Sequence, residues 1–236
     1  MQGLFIQMSG LSGSGKTTLA QALAPRLRSK GFKVEIIDGD EYRSNLCSDL
    51  GFSKEDRNTN IRRLGFVGKV LARNSVVSIM SAINPYEEVR QELRREGAKL
   101  VYVSCPISVL KARDPKGLYK RACLPSDHPD YIPNFTGISD PFENPIHPDL
   151  TIHTAILDLE CSVDLLENFI LSTLNDPVGR IVWRTNNNQR IIDELRGNKF
   201  VPVSADELQE KLGTKAWEYL IDKEKQQILV EKWQNS

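Results

Sequence analysis

The sequence of 236 residues lacks an excess of charge of either sign and lacks any long hydrophobic run. Lysine plus arginine and aspartate plus glutamate each number 31, so the formal net charge at pH 7 is zero. A chain without a net field does not attract nucleic acid or an anionic membrane over long distances. No stretch approaches the roughly 18 apolar residues of a membrane-spanning helix, and residues 1–10 lack a signal-peptide pattern. These absences predict a cytoplasmic protein that holds any anion at a local site.

Cysteine and histidine are also scarce. The four cysteines are widely spaced and form no CxxC pair, and the three histidines stand at no metal-ligand spacing. This distribution argues against a zinc site and against a disulfide framework. Hydrophobic residues make up 40% of the chain and charged residues 26%, which is typical of folded globular domains.

Residues 1–177 contain an alternation of strand and helix patterns. Short apolar runs predict strands at 4–9, 33–37, 76–80, 99–103 and 150–153. Longer periodic stretches between them predict helices at 18–30, 53–73, 86–96 and 162–174. The alternation predicts an α/β domain with a central parallel sheet covered by helices. Residues 114–148 are rich in Pro and Gly and carry no sustained periodicity, so we interpret them as a lid over a site.

Residues 178–236 are predicted to form a separate accessory unit, a small α/β or mostly helical extension. Turn-forming residues at 175–179 separate it from the first domain. We expect strands at 181–183 and 200–203, a helix over Ile191, Ile192 and Leu195, and further helices from Ser204 onward. An apolar stripe at helical spacing near the C-terminus predicts a covered helix face, formed by Trp217, Leu220, Ile221, Ile228, Leu229 and Trp233. No set of residues in this unit is suited to chemistry, which favours a role in packing or assembly.

The clearest motif is the glycine-rich run from Gly10 to Thr17. It fits G-x-x-x-x-G-K-[ST], and it lies between a predicted strand and a predicted helix, as a phosphate-binding loop requires. The backbone N–H groups of such a loop and the positive end of the following helix form an anion site. We therefore expect ATP and Mg²⁺ as cofactors, with Lys16 on the β- and γ-phosphates and Thr17 as a metal ligand. The predicted nucleotide contacts are Gly10, Ser12, Gly13, Ser14, Gly15, Lys16, Thr17 and Thr18.

Asp38 and Asp40 follow the second predicted strand. Their two-residue spacing places both carboxylates on one side if the strand continues through Gly39. Phosphoryl transfer to an alcohol requires a carboxylate near the acceptor oxygen and cations on the migrating group. We expect Asp38 to order the Mg²⁺ shell and Asp40 to act on the acceptor, so that these two residues and Lys16 are the predicted catalytic set. An exposed acidic turn is the alternative that the spacing leaves open.

With these motifs in view, the chain resembles adenylyl-sulfate (APS) kinases over residues 4–154. Five ordered segments carry the resemblance: GLSGSGKTT (10–18), IDGDEYRSNLCSDLGFSKEDRNTNIRRLG (37–65), NPYEEVRQEL (84–93), RDPKGLYKRA (113–122) and FTGISDPFENP (135–145). The resemblance implies a P-loop kinase fold and the MgATP-dependent phosphorylation of the 3′-hydroxyl of adenosine 5′-phosphosulfate, which gives PAPS and ADP. It also implies a homodimer, because members of the family are commonly dimers.

The resemblance implies roles for the positions that match its motifs. The expected contacts are arginines on the anionic groups of APS, two phenylalanines near its adenine and a mobile lysine near its phosphosulfate. The implied substrate-binding residues are Arg43, Phe52, Arg57, Asn60, Ile83, Asn84, Lys120 and Phe135. Arg113 is the implied contact to the base of ATP.

The sequence departs from the family pattern in four places. Glu41 replaces the usual asparagine, Asn84 replaces the usual serine, the segment 123–134 is longer than usual, and residues after 178 have no counterpart. Asparagine cannot form the phosphoserine intermediate described for that serine, but direct in-line transfer needs none. These departures keep two alternatives open: a related P-loop kinase for another nucleotide or alcohol, and a non-catalytic nucleotide-binding module.

Overall fold

The computed structural model describes residues 3–175, 181–186, 189–196 and 199–212. The chain divides into two compact units, residues 1–166 and 167–236. The division falls inside a helix shortly before the predicted boundary at 177/178, which stays a prediction. No helix within the described ranges is long and apolar enough to cross a membrane.

The first unit is built on a parallel sheet of five strands in the order β2-β3-β1-β4-β5. The strands are β1 (Leu4–Ser9), β2 (Lys33–Asp38), β3 (Val76–Ser81), β4 (Lys99–Ser104) and β5 (Leu150–His153). The helices between and after them are α1 (Lys16–Ser29), α2 (Gly39–Leu46), α3 (Lys54–Arg73), α4 (Glu87–Arg95), α5 (Ile107–Arg113), α6 (Leu118–Ala122) and α7 (Leu159–Asn175). The predicted α/β fold with a central parallel sheet is confirmed, and the three short helices α2, α5 and α6 are additions to it.

Strand β1 lies at the centre of the sheet and positions the phosphate loop. All six of its residues are buried, because helices cover both faces of a parallel sheet. It pairs with β3 through Ile6 and Ile79 and with β4 through Met8 and Val101. The strand order reverses around β1, and in open parallel sheets such a reversal opens a crevice at the carboxyl ends of the strands. The glycine-rich loop begins at that edge.

Strand β2 does not continue through Gly39, so the alternation that would place Asp38 and Asp40 on one side of it does not apply. The strand ends at Asp38, and Gly39 is the first residue of α2. The Asp38 carboxylate caps this helix: its Oδ1 accepts hydrogen bonds from the backbone N–H groups of Asp40 at 3.0 Å and Glu41 at 3.3 Å. A carboxylate at this position satisfies N–H groups that have no partner within the helix, so the chain turns into α2 instead of extending the strand.

The described part of the second unit contains an antiparallel sheet in the order β6-β7-β8 and one further helix. These elements are β6 (Ile181–Asn186), β7 (Gln189–Arg196), β8 (Lys199–Val203) and α8 (Ala205–Leu212). The helix predicted over Ile191, Ile192 and Leu195 is wrong, because these residues lie in the middle strand β7, which pairs with β6 and with β8. A short apolar run does not separate helix from strand, and pairing with two neighbours decides the outcome. The apolar stripe at 217–233 lies outside the described residues.

Helix α3 approaches the sheet closely through a glycine. A Cβ atom at Gly68 would lie 2.5 Å from Cε2 of Phe5, whose ring is buried in the core. The Ser78 hydroxyl also donates to the Gly68 carbonyl at 2.8 Å. The absence of a side chain at this position therefore sets the distance between α3 and β1.

We expect Gly68→Ala to lower the free energy of unfolding by about 1–3 kcal/mol, because overpacking displaces the Phe5 ring. Helix propensity alone predicts the opposite sign, a gain of about 1 kcal/mol. Denaturant unfolding of the full chain measures the difference. Phe5→Leu in the Gly68→Ala background should recover part of the loss, and a stabilised Gly68→Ala protein would contradict the packing argument.

Candidate active site

The phosphate loop connects β1 to α1. Gly13 and Gly15 adopt left-handed backbone conformations, with φ angles of 74° and 99°, and α1 begins at the next residue, Lys16. Other residues adopt these conformations only with strain. The two glycines turn the backbone so that its N–H groups and the N-terminus of α1 can face an anion.

The Lys16 side chain folds back over the loop. Its ammonium donates hydrogen bonds to the carbonyl oxygens of Gly10 and Leu11, both at 2.8 Å, and to Ser14 Oγ at 3.4 Å. Burial lowers the pKa of Lys16 to about 7, against the opposing influence of the Asp40 carboxylate. The Lys16 ammonium is therefore poorly solvated, and an anionic phosphate would stabilise its charged form.

Three side-chain oxygens meet at the carboxyl ends of β2 and β3. The Thr17 hydroxyl lies 2.8 Å from Asp38 Oδ2 and 2.9 Å from Ser81 Oγ. Oxygen donors suit Mg²⁺, which is usually held by one or two carboxylates together with substrate phosphates and water. Sequence reasoning missed Ser81, because a serine at the end of a strand gives no distinctive signal.

A cavity of about 420 Å³ opens beside this cluster. It contains most of the predicted nucleotide and substrate residues, brought together from four segments of the chain: Ser12, Gly13, Gly15, Lys16, Thr17, Thr18, Asp38, Asp40, Arg43, Phe52, Arg57, Asn60 and Ile83. The Asn60 Oδ1 atom is buried without a hydrogen-bond partner among the described residues. An unpaired buried amide oxygen is costly, so it indicates a position where a ligand can donate a hydrogen bond.

Phe52 presents an aromatic face between two arginines. The guanidinium carbons of Arg43 and Arg57 lie 4.3 Å and 5.5 Å from the centroid of the Phe52 ring, which is 58% exposed. Arg57 also lies 3.5 Å from the Asp140 carboxylate and donates to the Asn134 carbonyl oxygen. Burial and the Arg57 charge lower the pKa of Arg43. A planar anionic ligand such as a nucleotide could stack on this ring and pair with both cations.

Lys116 links the 114–148 segment to Asp40 in the first turn of α2. Its ammonium lies 2.8 Å from Asp40 Oδ2, and both side chains are largely exposed. The Asp40 carboxylate raises the pKa of Lys116. The family resemblance implies a role for Lys120, whose backbone N–H donates to the Asp114 carboxylate at 2.9 Å, whereas Lys116 is the one of these two lysines that lines the cavity. Both lysines belong to one motif, and their spacing alone does not distinguish them.

A second cavity, of about 350 Å³, also adjoins the phosphate loop. It shares Gly13, Gly15 and Thr18 with the first cavity and also contains Ser14 and Arg113. The Arg113 guanidinium donates to the Thr154 carbonyl oxygen at 2.9 Å. The phosphate loop thus adjoins two cavities, which can accommodate the donor and the acceptor of a transfer reaction.

Three predicted substrate residues do not line either cavity. Lys120 is exposed on α6, and Phe135 is buried with its ring edge-on to Tyr119 at a centroid distance of 5.1 Å. Asn84 is buried, has a left-handed φ of 46°, and donates from Nδ2 to Gln7 Oε1 at 3.0 Å. Their roles in substrate binding stay predictions.

Nucleotide binding should be coupled to protonation of Lys16. Since its pKa is about 7 in the ligand-free protein and phosphates raise it, MgATP binding at about pH 8.5 should take up a proton, and affinity should fall as pH rises above 7. Calorimetry in buffers of different ionisation enthalpy measures the uptake. Lys16→Arg is the matched control, because arginine stays charged. Binding heats in the wild type that are independent of buffer would contradict the prediction.

Comparisons with known proteins agree with this geometry. A family model described as adenylylsulphate kinase matches residues 2–153. The chain is 48% identical over 164 residues to the adenylyl-sulfate kinase of Rippkaea orientalis, covering 69% of this chain and 88% of the relative. It is 50% identical over 167 residues to the adenylyl-sulfate kinase of Chloroflexus aurantiacus, covering 70% and 87%.

Two solved structures extend the comparison. The Mycobacterium tuberculosis APS kinase CysC in complex with AMPPNP and APS has a TM-score of 0.67 and 33% identity, covering 72% of this chain and 99% of that chain. A hexameric APS kinase from Thiobacillus denitrificans has a TM-score of 0.53 and 30% identity, covering 73% of this chain and 29% of that chain. A family match over residues 2–153, with relatives up to 50% identical, leads to one conclusion: the chain belongs to the adenylylsulphate kinase family.

Proposed function

We propose that the chain is an adenylyl-sulfate kinase, which transfers the γ-phosphoryl group of MgATP to the 3′-hydroxyl of adenosine 5′-phosphosulfate and forms PAPS and ADP. The observation that carries the proposal is a single cavity that joins the phosphate loop to Phe52 and its two flanking arginines. The family match supports the same reaction, because relatives covered over most of their length are adenylyl-sulfate kinases.

The nucleotide is expected to bind across the phosphate loop. The loop N–H groups and Lys16 would hold the triphosphate, and Arg113 in the second cavity would contact the base of ATP. Thr17 and Asp38 would hold Mg²⁺, with Ser81 within hydrogen-bond distance of the Thr17 hydroxyl. Mg²⁺ supplies charge neutralisation on the β- and γ-phosphates when it is bound.

The acceptor is expected to bind in the larger cavity. Its adenine can stack on Phe52, and its phosphosulfate group can pair with Arg43 and Arg57, whose planar guanidinium groups suit such anions. Asn60 Oδ1, unpaired among the described residues, can accept a hydrogen bond from the substrate. These contacts would place the 3′-hydroxyl between the phosphate loop and Asp40.

In the chemical step, the 3′-oxygen attacks the γ-phosphorus as the bond to the β,γ-bridging oxygen breaks, and ADP leaves. The proton of the 3′-hydroxyl passes to the Asp40 carboxylate. Lys116 pairs with this carboxylate in the ligand-free protein. The anions of APS would compete for Lys116 and free Asp40 for this role.

Asn84 is compatible with direct transfer. Its amide is held by Gln7 inside the protein, and its side chain is absent from the lining of the cavity. An asparagine forms no phosphoester, so no phosphoenzyme at this position is part of the proposed mechanism. The homodimer that the family resemblance implies also belongs to the proposal. Sedimentation of the full chain tests the homodimer, and a cytoplasmic location stays a prediction from the sequence.

The experiment that tests the proposed function measures ADP release by the purified full chain with MgATP and APS. A panel of nucleosides, sugars and other alcohols replaces APS in parallel reactions. Lys16→Ala serves as the control for contaminating kinases, because loss of a positioned cation removes transition-state stabilisation. Turnover with APS alone supports the proposal. Turnover with another acceptor, or with none, would favour the related kinase or the non-catalytic module.

The two aspartates should have separable effects. Asp40→Asn should reduce kcat with little change in MgATP affinity, because the amide cannot accept the acceptor proton. Asp38→Asn should shift the Mg²⁺ concentration needed for half-maximal rate, because Asp38 contacts Thr17. Steady-state kinetics at varied Mg²⁺ measures both effects, and the reverse pattern would show that the roles are exchanged.

The two lysines of the RDPKGLYK motif form a matched pair for the acceptor-side cation. Lys116→Met should raise the KM for APS or lower kcat by about tenfold or more, because charge-assisted contacts of about 1.5–3 kcal/mol are removed. Lys120→Met should change either constant by no more than about threefold, since Lys120 does not line the cavity. A larger effect at Lys120 than at Lys116 would support the role near the phosphosulfate that the family resemblance implies for Lys120.

A further inference from the structure

Arg90 on α4 is a fully buried arginine that lines neither cavity. The Glu87 carboxylate accepts a hydrogen bond from Arg90 Nε at 2.8 Å and forms an ion pair with Nη2 at 2.7 Å. Removing a guanidinium from water is costly unless a counter-ion and hydrogen bonds replace the solvent. A charge maintained at this cost calls for a reason beyond the packing of α4.

The remaining N–H groups of Arg90 reach three other segments. Nη1 donates to the Asn84 carbonyl oxygen at 2.9 Å and to Ser9 Oγ at 3.3 Å. Nη2 donates to the Glu143 carbonyl oxygen at 2.6 Å. With the bond to Glu87, the guanidinium donates four hydrogen bonds, to a carboxylate, a hydroxyl and two carbonyl oxygens. Lysine has only three donors and no planar fork, so it cannot reproduce this set.

Each acceptor adjoins a functional part of the molecule. Ser9 is the last residue of β1, directly before the phosphate loop. Asn84 lies between Ile83 and Pro85, which both line the larger cavity. Glu143 lies near the end of the 114–148 segment. Arg90 therefore connects the entrance of the phosphate loop, the acceptor wall at 83–85 and the 114–148 segment.

The acceptor wall depends on these bonds for its shape. Asn84 has a left-handed backbone, which is strained for a residue other than glycine. Its carbonyl oxygen accepts from both Arg90 and the Ser9 hydroxyl, the latter at 2.9 Å. On either side, the Gly10 N–H donates to the Ile83 carbonyl at 3.1 Å, and the Glu143 N–H donates to the Pro85 carbonyl at 2.9 Å. Arg90 thus completes a set of hydrogen bonds that fixes the backbone of the acceptor wall at 83–85.

We propose that Arg90 is a positioning residue for the acceptor: it holds the 83–85 wall and the end of the 114–148 segment in register with the phosphate loop. This inference rests on the proposed function for the identity of the acceptor. Arg90 contacts no reacting atom, so it acts only through backbone positions. Misplacement of a wall by about 1 Å is enough to reduce catalysis strongly.

The test compares Arg90→Lys with Arg95→Met, a control on the same helix where the side chain is exposed. Calorimetry measures the Kd for MgATP, steady-state kinetics measures kcat and the KM for APS, and hydrogen exchange measures the backbone amide of Glu143. We expect Arg90→Lys to raise the KM for APS about tenfold or more and to accelerate exchange at Glu143. The Kd for MgATP should stay within about threefold of the wild type. Arg95→Met should leave all of these unchanged.

Equal changes in APS and MgATP affinity, or a lowered Tm with both affinities unchanged, would overturn the proposal and leave Arg90 a role in stability alone. If Arg90→Lys does not fold, Glu87→Gln tests the same network, because it keeps the guanidinium but weakens the acceptor that orients it. If wild-type protein does not phosphorylate APS, the proposed function fails. Hydrogen exchange at Glu143 in Arg90→Lys then decides the positioning role alone, and unchanged exchange would overturn it.

Discussion

The Asp38 carboxylate takes part in both the fold and the candidate active site. One oxygen caps α2 through the N–H groups of Asp40 and Glu41, and the other meets the Thr17 hydroxyl at the start of α1. A single side chain thus fixes how β2 ends, where α2 begins and how the phosphate loop faces the acidic turn. Asp40 is oriented toward the cavity as a consequence, although it makes no contribution to the cap through its own side chain. The proposed metal and acceptor sites both depend on this carboxylate.

The strands were predictable because each is an apolar run short enough to be buried on both faces. All five predicted strands of the first unit agree with the structure to within one residue at each end. Helix α2 was missed because a carboxylate cap at Asp38 and a strand continuing through Gly39 both fit the same short sequence. A helix was predicted over Ile191, Ile192 and Leu195 because pairing of β7 with β6 and β8 is a long-range interaction that no local pattern reports.

The motifs of the site were predictable from the sequence, but which of several similar residues line it was not. The phosphate loop has fixed spacing that follows from the geometry of anion binding, and the family resemblance provided Arg43, Phe52, Arg57 and Asn60. The resemblance implies Lys120, whereas Lys116 is the lysine of that motif that lines the cavity, because the direction of each side chain depends on where α6 begins. Arg90 gave no sign of burial, since an arginine in a charged helical segment is usually solvated and its acceptors come from residues far along the chain.

The Asp40 and Lys116 pair has a consequence for access to the acceptor cavity. Both side chains are more than half exposed, and exposed ion pairs contribute only about 0–1 kcal/mol. Such an interaction is comparable to thermal energy, so in the ligand-free protein it opens and reforms readily. At physiological ionic strength the Debye length is about 8 Å, and mobile ions weaken the pair further. The ion pair between Lys116 of the 114–148 segment and Asp40 is thus weak and sensitive to salt. It hinders the binding of an anionic substrate little, and Lys116 is then available to pair with that substrate.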